Sequence, residues 1–362
     1  MPVRRAQGSE TYRGAAPVLN PLVAAAAGCC ILADQEPRKP FMHIPDGFID
    51  AKTALVTTTL AAAGVGVALR QVRRELPPRR VPLLGLAAAF LFVAQMVNFP
   101  VAGGTSGHLI GGALVAVLLG PSAAVVVLTA VLIVQCLLFA DGGLLALGAN
   151  IFNMGLVATV SGYAVFHVVR RWLPGLRGQV AAMAFAGWCS TVLAAIGCAG
   201  QLAWSGTVAW PVAFTAMTGI HLLIGVGEGA ISALVLLAIA RTRPDLVGVA
   251  GPMQTPLKIR AFVGYGLAVI LGLGWFVAPF ACSWPDGLES VAIRLGFARH
   301  AATPLLNALA PDYRIPGITS PVIATAVAAA VGVVVVFGLA VLLSRALVRE
   351  PRETAGAPAS PS

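Results

Sequence analysis

Met42-His43-Ile44-Pro45-Asp46-Gly47-Phe48 carries the most distinctive chemistry in this sequence, because it places a histidine directly after a methionine. At a free N-terminus, a His in second position presents three nitrogens: the terminal amine, its own deprotonated amide and its imidazole. These close adjacent small chelate rings, and tetragonal nitrogen sites of this kind suit Ni(II) and Cu(II) and accept Co(II). If Met42 is internal, the amine becomes an amide and the set loses a ligand. On spacing alone the motif reads equally as a turn before a helix. His108 ends a second motif, Asn98-Phe-Pro-Val-Ala-Gly-Gly-Thr-Ser-Gly-His108. Its glycines permit positive φ and close backbone approach, so the loop either folds inward to supply a fourth nitrogen or remains a surface loop. His221 and Glu228 are seven residues apart, two helical turns, and share one helix face. Glu228 falls in an apolar stretch, where a carboxylate must pair, protonate or face a polar cavity. The two residues therefore read either as groups beside a site or along a pathway, or as a structural hydrogen bond. Gln95, Gln135, Asn150 and Asn153 are the polar partners at hand, whereas His167 and His300 read as incidental.

The elements that must position these groups are membrane helices. Of 362 residues, 58% are hydrophobic and only 10% charged, with a mean hydropathy of +0.88. Soluble domains carry about 25% charged residues, so this composition excludes a cytosolic enzyme, a disordered scaffold and a disulfide-built secreted fold. A crossing needs about 20 apolar residues. Such stretches lie near 54–69, 82–99, 105–120, 122–140, 147–169, 179–203, 211–240, 261–281 and 321–344. The expectation is an all-α polytopic membrane protein of about nine transmembrane helices. Span 105–120 is short, and span 211–240 is long enough to begin outside the bilayer.

The formal charge of +10 would suggest nucleic acid on a soluble protein, but the charges are distributed by loop. Fifteen of the 24 basic residues lie between spans one and two (Arg70 to Arg80), five and six (Arg170 to Arg177), seven and eight (Arg241 to Arg260), or after span nine (Arg345 to Arg352). With nine crossings all four groups share one side, which the positive-inside rule makes cytoplasmic. A re-entrant third span would put Arg170, Arg171 and Arg177 outside, so the pattern predicts a full crossing there. His43, the Gly103–His108 loop, Asp141 and the 282–320 loop then fall on the external side, and no nucleic-acid partner is implied.

Residues 1–41 stand apart as a weak leader or an extension produced by a mis-assigned start, with translation beginning at Met42. Cys136, Cys189 and Cys198 fall within spans, where Cys serves as a small apolar residue, and no CxxC occurs. HExxH, Walker and dinucleotide motifs are absent from the sequence, so neither a cofactor nor an ATPase of its own is expected. An intramembrane metalloenzyme using His108, His221 and Glu228 is the alternative of a different class.

Met42-His-Ile-Pro-Asp-Gly-Phe, Asn98-Phe-Pro-Val through Gly-Thr-Ser-Gly-His108-Leu-Ile-Gly-Gly, Phe139-Ala-Asp-Gly-Gly, Gly148-Ala-Asn-Ile-Phe-Asn-Met-Gly and His221-Leu-Leu-Ile-Gly-Val-Gly-Glu-Gly occur in order. Together they closely resemble the CbiM/NikM family, the substrate-binding membrane components of energy-coupling-factor transporters for cobalt and nickel. Pro285-Asp-Gly-Leu-Glu289, between two spans, resembles the PDGLE motif of the CbiN-like module. The resemblance implies a 1–41 extension, a CbiM-like domain at 42–245 with seven spans, a cytoplasmic linker at 246–260, a two-helix PDGLE module at 261–346 and a disordered cytoplasmic tail at 347–362. It further implies that Met42, His43 and His108 bind one transported Co(II) or Ni(II) ion externally, with Asn98, His221 and Glu228 beside the site or on the pathway. Implied partners are a CbiQ-type transmembrane coupling protein and a CbiO-type ATPase in the plasma membrane, with cobalt feeding cobalamin synthesis as the first expectation.

Overall fold

The structure, a computed structural model, describes residues 42–247 and 258–347. The expected extension, most of the linker and the tail lie outside the described residues. Eight helices among the described residues are long and apolar enough to cross a membrane. In chain order the elements are α1 (Ala51–Glu75), α2 (Val81–Met96), β1 (Phe99–Val101), β2 (Thr105–Gly107), α3 (Gly112–Leu119), α4 (Pro121–Phe139), α5 (Leu147–Val169), α6 (Gly175–Trp204), α7 (Trp210–Thr242), α8 (Ile259–Phe276), α9 (Gly287–Leu295) and α10 (Pro321–Leu347). The chain is an integral membrane protein.

Helix boundaries follow ordinary capping chemistry. Asp50 accepts from Thr53 N at 2.9 Å to start α1, and Pro82, Pro121 and Pro211 open α2, α4 and α7, where a missing N–H costs nothing. At 33 residues, α7 spans roughly 50 Å, longer than the hydrocarbon core of about 30 Å, in line with its expected start outside the bilayer. Helices α8 and α10 pack on α2, where Gly332 of α10 leaves the space that Phe92 of α2 fills. Without a hydrophobic force between helices in lipid, such close approach through small residues is a main source of association.

The third crossing differs from the expected helix over 105–120. Only Gly112–Leu119 is helical, eight residues or about 12 Å, and the chain reaches it through the antiparallel hairpin β1–β2, paired Phe99 to Gly107. The contacts at its two ends nevertheless run the segment from one end of the bundle to the other. Asn98 O, before the hairpin, accepts from Cys282 N at 3.0 Å, at the end where Thr207 bonds Phe48 O at 2.6 Å. Ser122, just after α3, bonds Gln71 near the C-terminus of α1 at 2.6 Å. Extended chain at about 3.3 Å per residue plus a half-helix spans the same depth as a full helix. The arginines of 70–80, 170–177 and 241–243 therefore gather at one end of the bundle, and the motif histidines sit toward the other.

Candidate metal centre

The Met42–Phe48 segment enters the Arg-poor end of the bundle and is fixed there at every second residue. Asn150 of α5 clamps Ile44 with both ends of its amide, accepting from Ile44 N at 3.0 Å and donating to Ile44 O at 3.1 Å. Asp46 accepts from the main-chain nitrogens of Leu144, Leu145 and Ala146 at 2.8–3.1 Å. Phe48 is fully buried against Phe297, with ring centroids 5.0 Å apart. Gly47 has φ +93°, and a side chain there would meet the His300 carbonyl. Asn150 immediately precedes a π-helical stretch, Ile151–Ala158, a distortion that gathers at functional sites. Within it, Asn153 exchanges amide hydrogen bonds with Gln201 of α6 at 2.8 and 2.9 Å.

His108 is held from both sides. The 284–294 segment covers the hairpin: Ser106 N donates to Pro285 O at 2.8 Å, Ser106 Oγ donates to Trp284 O at 2.7 Å, and Arg294 donates to Gly103 O at 2.8 Å. On the other side, the buried Glu228 carboxylate accepts from Ile110 N at 2.6 Å and Gly111 N at 2.8 Å. It thereby occupies the donors that precede α3. Glu228→Ala would strand two buried N–H groups at about 1–3 kcal/mol each. A lower melting temperature in detergent is expected, with Glu228→Gln, which keeps one acceptor, falling between. Wild-type stability of Glu228→Ala would contradict this role.

The two clamps bring His43 and His108 together, with ring centroids 5.7 Å apart and planes tilted by 58°. His43 is 3% exposed. Its Nδ1 lies 2.9 Å from Asp141 Oδ1, and Nε2 of His43 and Nδ1 of His108 are buried without hydrogen-bond partners. Buried polar atoms are nearly always paired, so two neighbouring rings that leave His43 Nε2 and His108 Nδ1 without partners, while Asp141 faces His43 Nδ1, suit an electrophile such as a metal ion. They line, with Met42, Asn150, His221 and Asp286, a cavity of about 80 Å³. No three His, Cys, Asp or Glu side chains form a ready metal cluster among the described residues. The Met42 main chain lies beside the two rings and is a further source of donors.

Asp141 organises the outer edge. Its Oδ1 accepts from Met42 N at 3.1 Å and its Oδ2 from the Tyr313 hydroxyl at 2.6 Å. Burial alone would raise this carboxyl, but the His43 ring, Tyr313 and Met42 outweigh it and hold it below its ordinary value. Burial, with Glu289 and Asp141 nearby, pushes Asp286 well above the usual carboxylate range and, acting on Glu289, lifts it to about 7. A cation close by would favour the ionised form of each. Asp141, Asp286, Glu289 and Asp312 line a second cavity of about 220 Å³.

The structure thus joins Met42, His43 and His108 and sets His221 on the same cavity. Asn98 borders the larger acidic cavity instead. Glu228 shares a helix with His221 but sits beneath the loop, with both oxygens taken by main-chain donors, so the metalloenzyme constellation of His108, His221 and Glu228 does not assemble. Asp141, Asp286 and Tyr313 are site residues that sequence reasoning did not single out. Asp141 and Asp286 lie inside the quoted motifs; Tyr313 carries no sequence signal.

Residues 43–246 match the CbiM family, described as the cobalt uptake substrate-specific transmembrane region, and residues 260–349 match the PDGLE domain. The chain is 36% identical over 306 residues to a fused NikMN-type protein of Archaeoglobus fulgidus whose name assigns it to nickel transport, covering 84% of this chain and 98% of that protein. It is 33% identical over 294 residues to the fused nickel transport protein NikMN of Rhodobacter capsulatus (76% and 84% covered) and 30% identical over 285 residues to the cobalt transport protein CbiM of Geobacter sulfurreducens (74% and 81%). The crystal structure of a truncated transition metal transporter superposes with a TM-score of 0.51 at 33% identity, over 55% of this chain and 99% of that one. The chain is therefore a transport protein rather than an enzyme, and it belongs to the CbiM/NikM family, with a CbiN-like PDGLE module fused behind the CbiM region.

Proposed function

We propose that this protein is the substrate-capture subunit of an ATP-driven importer, taking up Co(II) on the external face through His43, His108 and the main-chain nitrogens of Met42 and His43. The observation that carries this reading is the pairing of two buried imidazoles, 5.7 Å apart and with His43 Nε2 and His108 Nδ1 unpartnered, beside the Met42 main chain. The Arg-rich end is cytoplasmic by the positive-inside rule, which sets the pair toward the outside. In a chain beginning at Met42 the first donor is an amine. In one that continues upstream it is an amide, whose proton must leave before it can ligate. Ni(II) is the second reading, favoured by the nickel names of the fused relatives, and the nitrogen donors accept either ion. With no nucleotide motif in the chain, the energy comes from partners, a CbiQ-type coupling protein and a CbiO-type ATPase.

Cells producing this chain with such partners are expected to accumulate radioactive cobalt, and an ATPase made inactive in its nucleotide site is expected to abolish the uptake. Competition by excess Ni(II) ranks the two ions. Accumulation that persists without any ATPase would overturn the energy-coupled reading.

A further inference from the structure

His221 has no task in the capture site, yet its surroundings are those of a metal ligand. Its Nδ1 lies 2.7 Å from the Met217 carbonyl. A carbonyl only accepts, so Nδ1 carries the proton and the neutral ring leaves Nε2 with a bare lone pair. A backbone carbonyl on the remote nitrogen is how ligating histidines are commonly oriented. Nε2 makes no hydrogen bond among the described residues. The ring edge instead faces Gly287, where an added Cβ would lie 2.7 Å from Cε1 and 2.9 Å from Nε2. Glycine at this point lets His221 reach the loop that carries Asp286.

Asp286 and His108 complete the surroundings. Asp286 is 5% exposed. Its Oδ1 accepts from Glu289 N at 2.7 Å, while its Oδ2 stands 3.8 Å from His108 Nε2, too far for a hydrogen bond. Two ligands each about 2.1 Å from one ion sit roughly 3.0 Å apart at right angles and roughly 4.2 Å apart across it. The observed gap falls within that range. His108, His221, Asp286 and Gly287 line a lobe of about 40 Å³ to which His43 and Met42 do not contribute. Asp286 also borders the acidic cavity and the capture cavity, so it stands between them.

We propose that His221, His108 and Asp286 form a second position for the divalent metal ion, a relay between the acidic cavity and the capture position. The inference rests on the capture reading above and adds to it a step that precedes capture. An ion arriving from the acidic cavity is taken by Asp286 and His221 with His108. It then passes to His43, the Met42 main chain and His108 Nδ1, the His108 proton moving from Nδ1 to Nε2 as the ion leaves Nε2, so the ring serves one position at a time. Because His108 belongs to both positions, the protein takes one tight ion, and the relay shows as a rate and as weak residual binding.

The test uses the full chain purified in detergent, with Co(II) as the probe and a metal-sensitive dye as competitor. His221→Ala and His221→Gln are expected to slow Co(II) association at least tenfold while equilibrium affinity stays within about threefold of wild type. Gly287→Ala, which drives a methyl into the His221 ring, is expected to slow association similarly. His43→Ala is expected to lose tight binding but keep a weak Co(II) site that His43→Ala/His221→Ala lacks. Size-exclusion profiles and helical circular dichroism confirm folding for each variant. Association at the wild-type rate in both His221 variants overturns the relay. So does a loss of equilibrium affinity in them as deep as that of His43→Ala, which would assign His221 to the capture set. Tight binding retained by His43→Ala is a different result: it removes the capture reading itself.

Discussion

His43→Ala is expected to abolish tight Co(II) binding by the purified protein and cobalt accumulation by cells, with membrane insertion unchanged. Removing an outer partner of a ligating histidine costs about 10–100-fold in affinity, so loss of a ligand itself should exceed about 100-fold. His43 contributes an imidazole, and its own amide nitrogen is ordered by the same ring. The side chain is 3% exposed, and apart from Asp141 at 2.9 Å its nitrogens have no partner among the described residues. The segment is instead tied down by Ile44 on Asn150, Asp46 on the 144–146 amides and Phe48 on Phe297. The fold should therefore survive the substitution, which separates a binding defect from a folding one. His108→Ala should match it in binding, with the hairpin still held by Ser106 and Glu228. Unchanged uptake in either variant, measured with insertion confirmed, would remove the site assignment.

What the sequence made legible follows from which signals are local. The apolar runs gave the order of the crossings and the basic residues the end at which the arginines gather, because hydropathy and charge act residue by residue on the transfer into lipid. The third crossing was misread as a helix because Leu109–Leu119 satisfies a hydropathy window, whereas the hairpin before it is held by Pro285, Trp284 and Glu228, partners more than 100 residues away. His221 and Glu228 do share a face of α7. Seven residues along a helix is about 10 Å, however, enough to put one on the cavity and the other under the loop. Tyr313 was invisible for a related reason: in an irregular loop, nothing periodic announces that a hydroxyl will meet a buried carboxylate.

That carboxylate supports the second large expectation. Asp141→Asn should weaken Co(II) binding about 10–100-fold, the range for an outer-shell partner of a ligating histidine, without removing the imidazoles. The carboxylate now faces three groups at once: Met42 N at 3.1 Å, His43 Nδ1 at 2.9 Å and the Tyr313 hydroxyl at 2.6 Å. Asparagine keeps one oxygen acceptor for Met42 N–H and turns the other position into a donor, to which the rotated Tyr313 hydroxyl can only accept, so its main effect is to remove the negative charge that favours a cation beside His43. Tyr313→Phe removes only the hydroxyl. Losing one hydrogen bond to a charged group costs about 1.5–3 kcal/mol, and with part of that cost reaching the metal a weakening of about tenfold or less is expected as the released carboxylate turns away from Met42. Because both substitutions act on one contact, the double variant should bind no more weakly than Asp141→Asn alone, a non-additivity of the kind found for residues in one network. Isothermal titration of Co(II) into the three variants decides the matter. Full additivity would mean that Tyr313 and Asp141 act on the metal independently, and an unaffected Tyr313→Phe would mean that the C-terminal module does not reach the capture site through this bond.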